Sequence, residues 1–335
     1  MTLTSIGDMA QSFASRRQSS MLQLQLSRLT QELSSGQATN VAQAVGGSFG
    51  QLADIEHQMV VQSSYKSATA EAALLASSMQ IALGQVQDAL TDVSGVVALA
   101  GQSNSPTAIS ATAEGARGAL DAIVAALNTD VAGRPLFAGT ALNNAPLLGA
   151  DAILQEARLA MAGASDAVAV DAALEAFFMD AGGEFETLIY QGGSGYLAPQ
   201  ALGNGETVQL SIRADDASLR AAMKDLAKAS LADDPALGLD TDGRLAMLRG
   251  ASDGMRIQID AITDIRANLG FAEARIEQSS TRISTELTGL SMARNDLLSV
   301  DIFETASKLE DVQRQLETLY TLTARNSRLN LVNFL

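Results

Sequence analysis

The sequence has no cysteine and no tryptophan, five prolines, one histidine and only 4% aromatic residues. Each scarcity closes a class. Without cysteine there is no disulfide framework, no cysteine-ligated zinc or iron–sulfur centre and no thiol nucleophile. A single imidazole, His57, cannot build a two-histidine catalytic or metal site. Positive charge is also short. The 22 Lys and Arg against 38 Asp and Glu leave a net charge of −16 over 335 residues. That balance argues against nucleic acid as a partner, because phosphates need cations. With few large rings, a core made largely of Ala, Leu and Val must be thin or built from helix seams. At 47% apolar the chain is still too hydrophobic to be wholly disordered, and its length allows two or three domains.

Long uninterrupted apolar runs are missing as well. Met1 to Gly7 carries no Lys or Arg, and Gln11, Ser12 and Arg16-Arg17 prevent an apolar leader core from following. Export without a cleaved signal peptide is the expectation. The longest uncharged helical stretch, 72–87, is broken by Ser77, Ser78, Gln80, Gly84 and Gln85, so no membrane insertion is expected.

What is present is helical periodicity at both ends. All five prolines fall between Pro106 and Pro235, which leaves both ends free to form long helices. Leu22, Leu26, Leu29 and Leu33 step by 4, 3, 4. Ala72, Ala76, Met79, Leu83, Val86, Leu90, Val93 and Val97 continue that rhythm on a helix predicted over 51–100. Ile109, Ala113, Ala116, Leu120, Ile123 and Leu127 form another seam. Ile262, Leu269, Ile276, Ile283, Leu290 and Leu297 recur every seven residues, and Ile302, Ala306, Leu309, Val312, Leu316 and Leu319 close the series. End seams without private cores must bury against each other or against neighbouring subunits.

The middle, 141–246, reads differently. Helical pieces are expected over about 151–180 and 215–232. Thr187–Tyr190 and Glu206–Arg213 alternate like strands, with turns at Gly192-Gly193-Ser194-Gly195 and Gly203-Asn204-Gly205. The fold class is therefore mostly α: an antiparallel helical coiled-coil rod formed by both termini, with a smaller central α+β domain. This central part holds 6 basic and 16 acidic residues, net −10, and is expected to face water.

No catalytic constellation emerges. His57, between Glu56 and Gln58, reads as a surface or partly buried structural residue. Gly192–Gly195 lacks the Lys-Ser/Thr of a phosphate loop and fails the dinucleotide pattern. Asp240-Thr241-Asp242-Gly243 starts like a calcium loop without its later ligands, and reads as a solvated turn. Asp215-Asp216 and Asp233-Asp234 sit at predicted helix starts, where negative charge suits the helix dipole. The expectation is a non-enzyme with no cofactor and no metal.

Three stretches carry a family resemblance. Leu33-Ser34-Ser35-Gly36 is similar to a turn joining a terminal helix to a rod, although Val41–Gly47 replaces the usual Asp-Asp-Pro segment. Gly133-Arg134-Pro135-Leu136-Phe137-Ala138-Gly139-Thr140 resembles a Gly-Arg-aromatic-Leu-Phe-Ala-Gly motif, with Pro135 in the aromatic's place. Its family-motif residues are Gly133, Arg134, Phe137, Gly139 and Thr140. The ending Leu329-Asn330-Leu331-Val332-Asn333-Phe334-Leu335 is similar to Leu-Ser-Leu-Phe-Asn-Tyr-Leu.

By these residues the chain resembles the flagellin superfamily, in its hook-associated branch at the hook–filament junction. The resemblance implies a structural, extracellular role in the bacterial flagellum. Residues 1–45 with 300–335 would form an inner terminal coiled coil, 46–140 with 247–299 a helical rod, and 141–246 an outer domain. Assembly-interface residues would be Leu22, Leu26, Leu29, Leu33, Leu309, Leu316, Leu331, Val332, Phe334 and Leu335. Implied partners are copies of itself in a ring, a hook-associated protein on the hook side, flagellin or a second junction protein on the filament side, and an export chaperone. A filament-forming flagellin is the alternative, and a secreted coiled-coil binding or signalling protein a more distant one.

Overall fold

A computed structural model describes residues 4–47 and 49–332. Among them the fold is mostly α. The long helices are α1 (Thr4–Ser35), α3 (Gly50–Ala100), α8 (Thr241–Leu298) and α9 (Ile302–Val332), and a single turn, α2 (Val41–Ala44), separates α1 from α3. The proline-free ends thus do form long helices, and the helix predicted over 51–100 spans Gly50–Ala100. Between them lie α4 (Pro106–Leu127), α5 (Ala150–Ala160), α6 (Ala167–Met179) and α7 (Ala217–Ser230). Two small hairpins add β1 (Asp130–Val131) with β2 (Arg134–Pro135), and β3 (Gln200–Gly203) with β4 (Glu206–Val208).

The described chain divides into two compact units. The first takes residues up to Ser63 and from Ser284 onward. In it, α1 and α9 run antiparallel: Gly36 and Gln37 meet Val300 and Ser299, and Gln23 Nε2 donates to Tyr320 Oη at 3.0 Å. Gly36 ends α1 at φ +69, a left-handed conformation that glycine adopts without penalty. The start of α3 meets the end of α8 through Gln62–Glu286 and Arg294–Glu56.

The second unit, Ser64–Ile283, holds the main core. Here α3 and α8 are also antiparallel, with Gln87 donating to Thr263 at 2.9 Å and Arg249 to the Gly101 carbonyl at 2.8 Å. The predicted seam is buried: Ala72, Ala76, Met79, Leu83, Val86, Leu90 and Val97 are at or near zero exposure, and Ile109 to Leu127 on α4 and Ile262, Leu269 and Ile276 on α8 join them. Phe177, Phe178 and Phe185 supply the aromatic centre, with ring centroids 4.8 and 5.5 Å apart.

Caps fix where the helices begin. Ser105 with Pro106 opens α4, and Asp166 and Asp216 accept from the first turns of α6 and α7. Asp240 accepts from Gly243 N at 2.8 Å, so the expected solvated turn is the capped start of α8.

Several expectations fail for local reasons. Thr187–Tyr190 is not a strand. A π-helical turn covers Phe185–Ile189: it buries Phe185 and Ile189 but leaves Thr187 between them exposed, whereas a strand would put all three on one face, and only Tyr190 pairs, with Leu147. The strand expected over 206–213 stops at Val208. Gly192–Gly195 is not a hairpin turn but a loop wrapped on another segment, described below. Ile302 of the last seam is exposed, and Leu290 and Leu297 are only half-buried.

Candidate functional site

Two places gather the residues singled out in the sequence. The first is the α1/α9 pair. Leu22, Leu29, Val312 and Leu316 form its buried centre, with Leu26, Leu309 and Leu319 packed at the margin. Leu33 is half-buried on the last turn of α1. The seam residues of the two ends thus meet within one chain. Leu331 and Val332 lie on the end of α9, while Phe334 and Leu335 lie outside the described residues.

This core is small, and the same helices keep large apolar side chains in solvent. Met9, Phe13, Met21 and Leu24 are exposed along α1, as are Phe303 and Leu322 on α9. Phe13, Arg17 and Met21 line a shallow open hollow on α1. Met9 and Phe13 lie one turn apart on α1, as do Met21 and Leu24.

The second place is the Gly133–Thr140 motif, in the other unit. It starts in a two-residue hairpin turn. Ala132 and Gly133 both have positive φ, +53 and +78, between the paired Val131 and Arg134. Arg134 Nη1 reaches Glu71 Oε1 at 3.1 Å. Phe137 is fully buried, and its carbonyl accepts from Ala214 N at 2.9 Å. The chain then turns at Gly139, φ +59, where a side chain would run into the carbonyls of Gly193 and Gly195.

The motif grips the Gly192–Gly195 loop. Gly193 N donates to the Ala138 carbonyl at 2.8 Å, and Thr140 N to the Gly195 carbonyl at 3.0 Å. The Thr140 side chain fills the space where Cβ atoms on Gly193 and Gly195 would stand. Tyr190 donates its hydroxyl proton to the Gly193 carbonyl at 3.1 Å. Burial, reinforced by Asp215, pushes the Tyr190 phenol up to about 12, so it remains a donor. Arg213 clamps Asp215 through Nε and Nη2 at 2.8 and 2.7 Å, donates to the Ser194 carbonyl and lies 4.9 Å from the Tyr196 ring centroid. Ala138, Gly139 and Thr140 of the motif therefore form one latch with the glycine loop, while Gly133 and Arg134 shape the preceding hairpin.

Sequence reasoning missed four contributors to this unit's order. Asn128 holds Leu147 through both its side-chain atoms at 3.0 and 2.9 Å. Tyr190 and Arg213 lock the glycine loop. Glu206 receives Arg282 at 3.2 Å and Arg275 at 3.4 Å, tying β4 to α8. Only the folded chain brings these distant residues together, so no local pattern marks them. His57 is exposed, and among the described residues no three His, Asp or Glu gather as metal ligands. No described helix is long and apolar enough to cross a membrane.

Residues 254–335, which cover the later part of α8 and all of α9, match the family model described as the bacterial flagellin C-terminal helical region. That stretch is similar to the C-terminal region of bacterial flagellins. The fold resembles that of two solved structures. FlgL from Bacillus cereus superposes with a TM-score of 0.53 at 17% identity, over 72% of this chain and 100% of that one. A protein from Vibrio parahaemolyticus, assigned as a flagellar hook-associated protein, gives a TM-score of 0.52 at 14% identity, over 73% of this chain and 95% of that one. A comparison with curated proteins finds no match. At these identities the likeness to the solved structures is one of fold.

Proposed function

We propose that this chain is a structural subunit of the bacterial flagellum that joins the hook to the filament and passes torque between them without chemistry. The observation that carries the reading is the α1/α9 pair. A flagellin-type C-terminal helix lies against the N-terminal helix over a four-residue core, and both keep large apolar side chains in water. The fold of two hook-associated proteins supports the junction over the filament.

On this reading 1–45 with 300–335 is the inner assembly domain, 46–140 with 247–299 a helical rod and 141–246 an acidic outer domain. Leu22, Leu26, Leu29, Leu309 and Leu316 shape the terminal pair, and Leu33, Leu331, Val332, Phe334 and Leu335 complete the assembly interface on this reading. Partners are copies of itself in a ring, a hook-associated protein on one side, flagellin or a second junction protein on the other, and an export chaperone beforehand. The site of action is extracellular. Removing the last ten residues tests the assembly role. Cells making only that shortened chain are expected to shed or lack filaments on intact hooks, and normal filaments would overturn the terminal-packing account.

A further inference from the structure

Asp225, in the middle of α7, is 3% exposed and takes no part in the latch or the terminal pair. Its neighbours on α7 are engaged elsewhere: Lys224 pairs with Glu175 on α6 at 2.6 Å, and Lys228 pairs with Asp171 on α6 at 2.5 Å. On its other side stands α8, where Gly250 and Gly254 are one turn apart. A Cβ at Gly254 would stand 2.6 Å from Asp225 Oδ1, and one at Gly250 would stand 2.6 Å from Lys228 Nζ. Two ionisable side chains of α7 therefore rest in a notch that only glycines leave open.

The surroundings offer the carboxylate little relief. The other charged residues of α8 near the notch, Arg249, Asp253 and Arg256, are exposed. On α4, packed along α7, the buried residues are apolar apart from Thr112, and Glu114, Arg117 and Asp121 are exposed. On α5, Arg158 is paired with Asp234 and Asp151 with Arg117, and Glu156 is half-buried. The charges acting on Asp225 are thus Lys224 and Lys228 in its favour and Asp171 and Glu175 against it.

We propose that Asp225 is a proton-operated wedge: neutral, it packs into the glycine notch and closes α7 on α8; charged, it loosens that contact. Mild acid would therefore tighten this unit, and neutral to alkaline solution would ease its unfolding. Burial, the largest cause, pushes the carboxyl from 3.8 up to about 7. The folded state then binds a proton that the unfolded chain has already released. The stabilisation is full below the unfolded value of 3.8 and is lost as pH rises through about 7.

The test is thermal and denaturant unfolding of the full chain, wild type and Asp225→Asn, between about pH 5 and about pH 8.5. Across that range the wild-type unfolding constant is expected to rise about a hundredfold more than that of the variant. Equal pH dependence in the two would overturn the proposal. Should the variant not fold, carboxyl-labelled aspartate in the wild type decides by NMR. One resonance titrating near neutrality supports the wedge, and all titrating in the ordinary carboxylate range overturns it.

Discussion

The Thr140 side chain occupies the place that a side chain on Gly193 would need, while the backbones on either side are bonded through Gly193 N to Ala138 and Thr140 N to Gly195. Neither segment can shift without giving up these bonds. Gly193→Ala is therefore expected to cost about 1–3 kcal/mol, the usual penalty of overpacking. Pairing it with Thr140→Ala removes the hydroxyl, so the double variant should lose less than the sum of the two singles. Denaturant unfolding of the four proteins checks this, and additive losses would separate the two residues.

The two hairpins carry the same kind of turn with different residues. Asn204-Gly205 has φ +51 and +77, and Ala132-Gly133 has φ +53 and +78. Asn tolerates the left-handed region better than Ala does. Ala132→Asn is expected to stabilise the protein by roughly 0.5–1 kcal/mol. A lower melting temperature would contradict the turn assignment.

Leu29 sits at the centre of the α1/α9 core, whereas Phe13 on the same helix is 71% exposed. Leu29→Ala should cost about 2–5 kcal/mol locally, with α1 and α9 losing hydrogen-exchange protection together. Phe13→Ser should leave that protection unchanged. Loss of protection in α1 alone after Leu29→Ala would mean that the two helices do not stabilise each other.

Arg282, and after it Arg275, hold the Glu206 carboxyl below the usual carboxylate range by hydrogen bonding. A depressed folded value gives stability that is present above the unfolded value of 4.5 and is lost as pH falls through the folded value. Exchange protection over 200–208 is expected to weaken in that acid range in the wild type. In Glu206→Gln it should already be weaker at neutral pH and should no longer change with acid. The direction is opposite to that of Asp225, so the two can be told apart on one pH series.

The long helices were legible because their signals are local and repeated. The 4, 3 rhythm from Ala72 to Val97 and the absence of proline name one buried face over many turns. The glycines of the 133–140 motif and the Gly203–Gly205 turn were legible through backbone demands that few residues meet. The π turn at Phe185–Ile189 was not. Four residues of alternating character satisfy a strand and a helical turn equally, and the choice is made by Ile189 and Tyr190 both reaching the core while Thr187 stays exposed. Nor could the sequence show that Gly192–Gly195 closes on Thr140, since the two segments are some fifty residues apart and neither one alone specifies its partner. The solvent-facing apolar residues Phe13, Met21 and Phe303 stand outside the seam rhythm and become visible only once the seam is buried.

Immunogold labelling of this chain on intact flagella tests the central claim most directly. The account predicts gold confined to a short zone where hook meets filament, on cells whose filaments are lost when the gene is removed. Gold distributed along the whole filament would contradict the junction role and identify a filament-forming subunit instead.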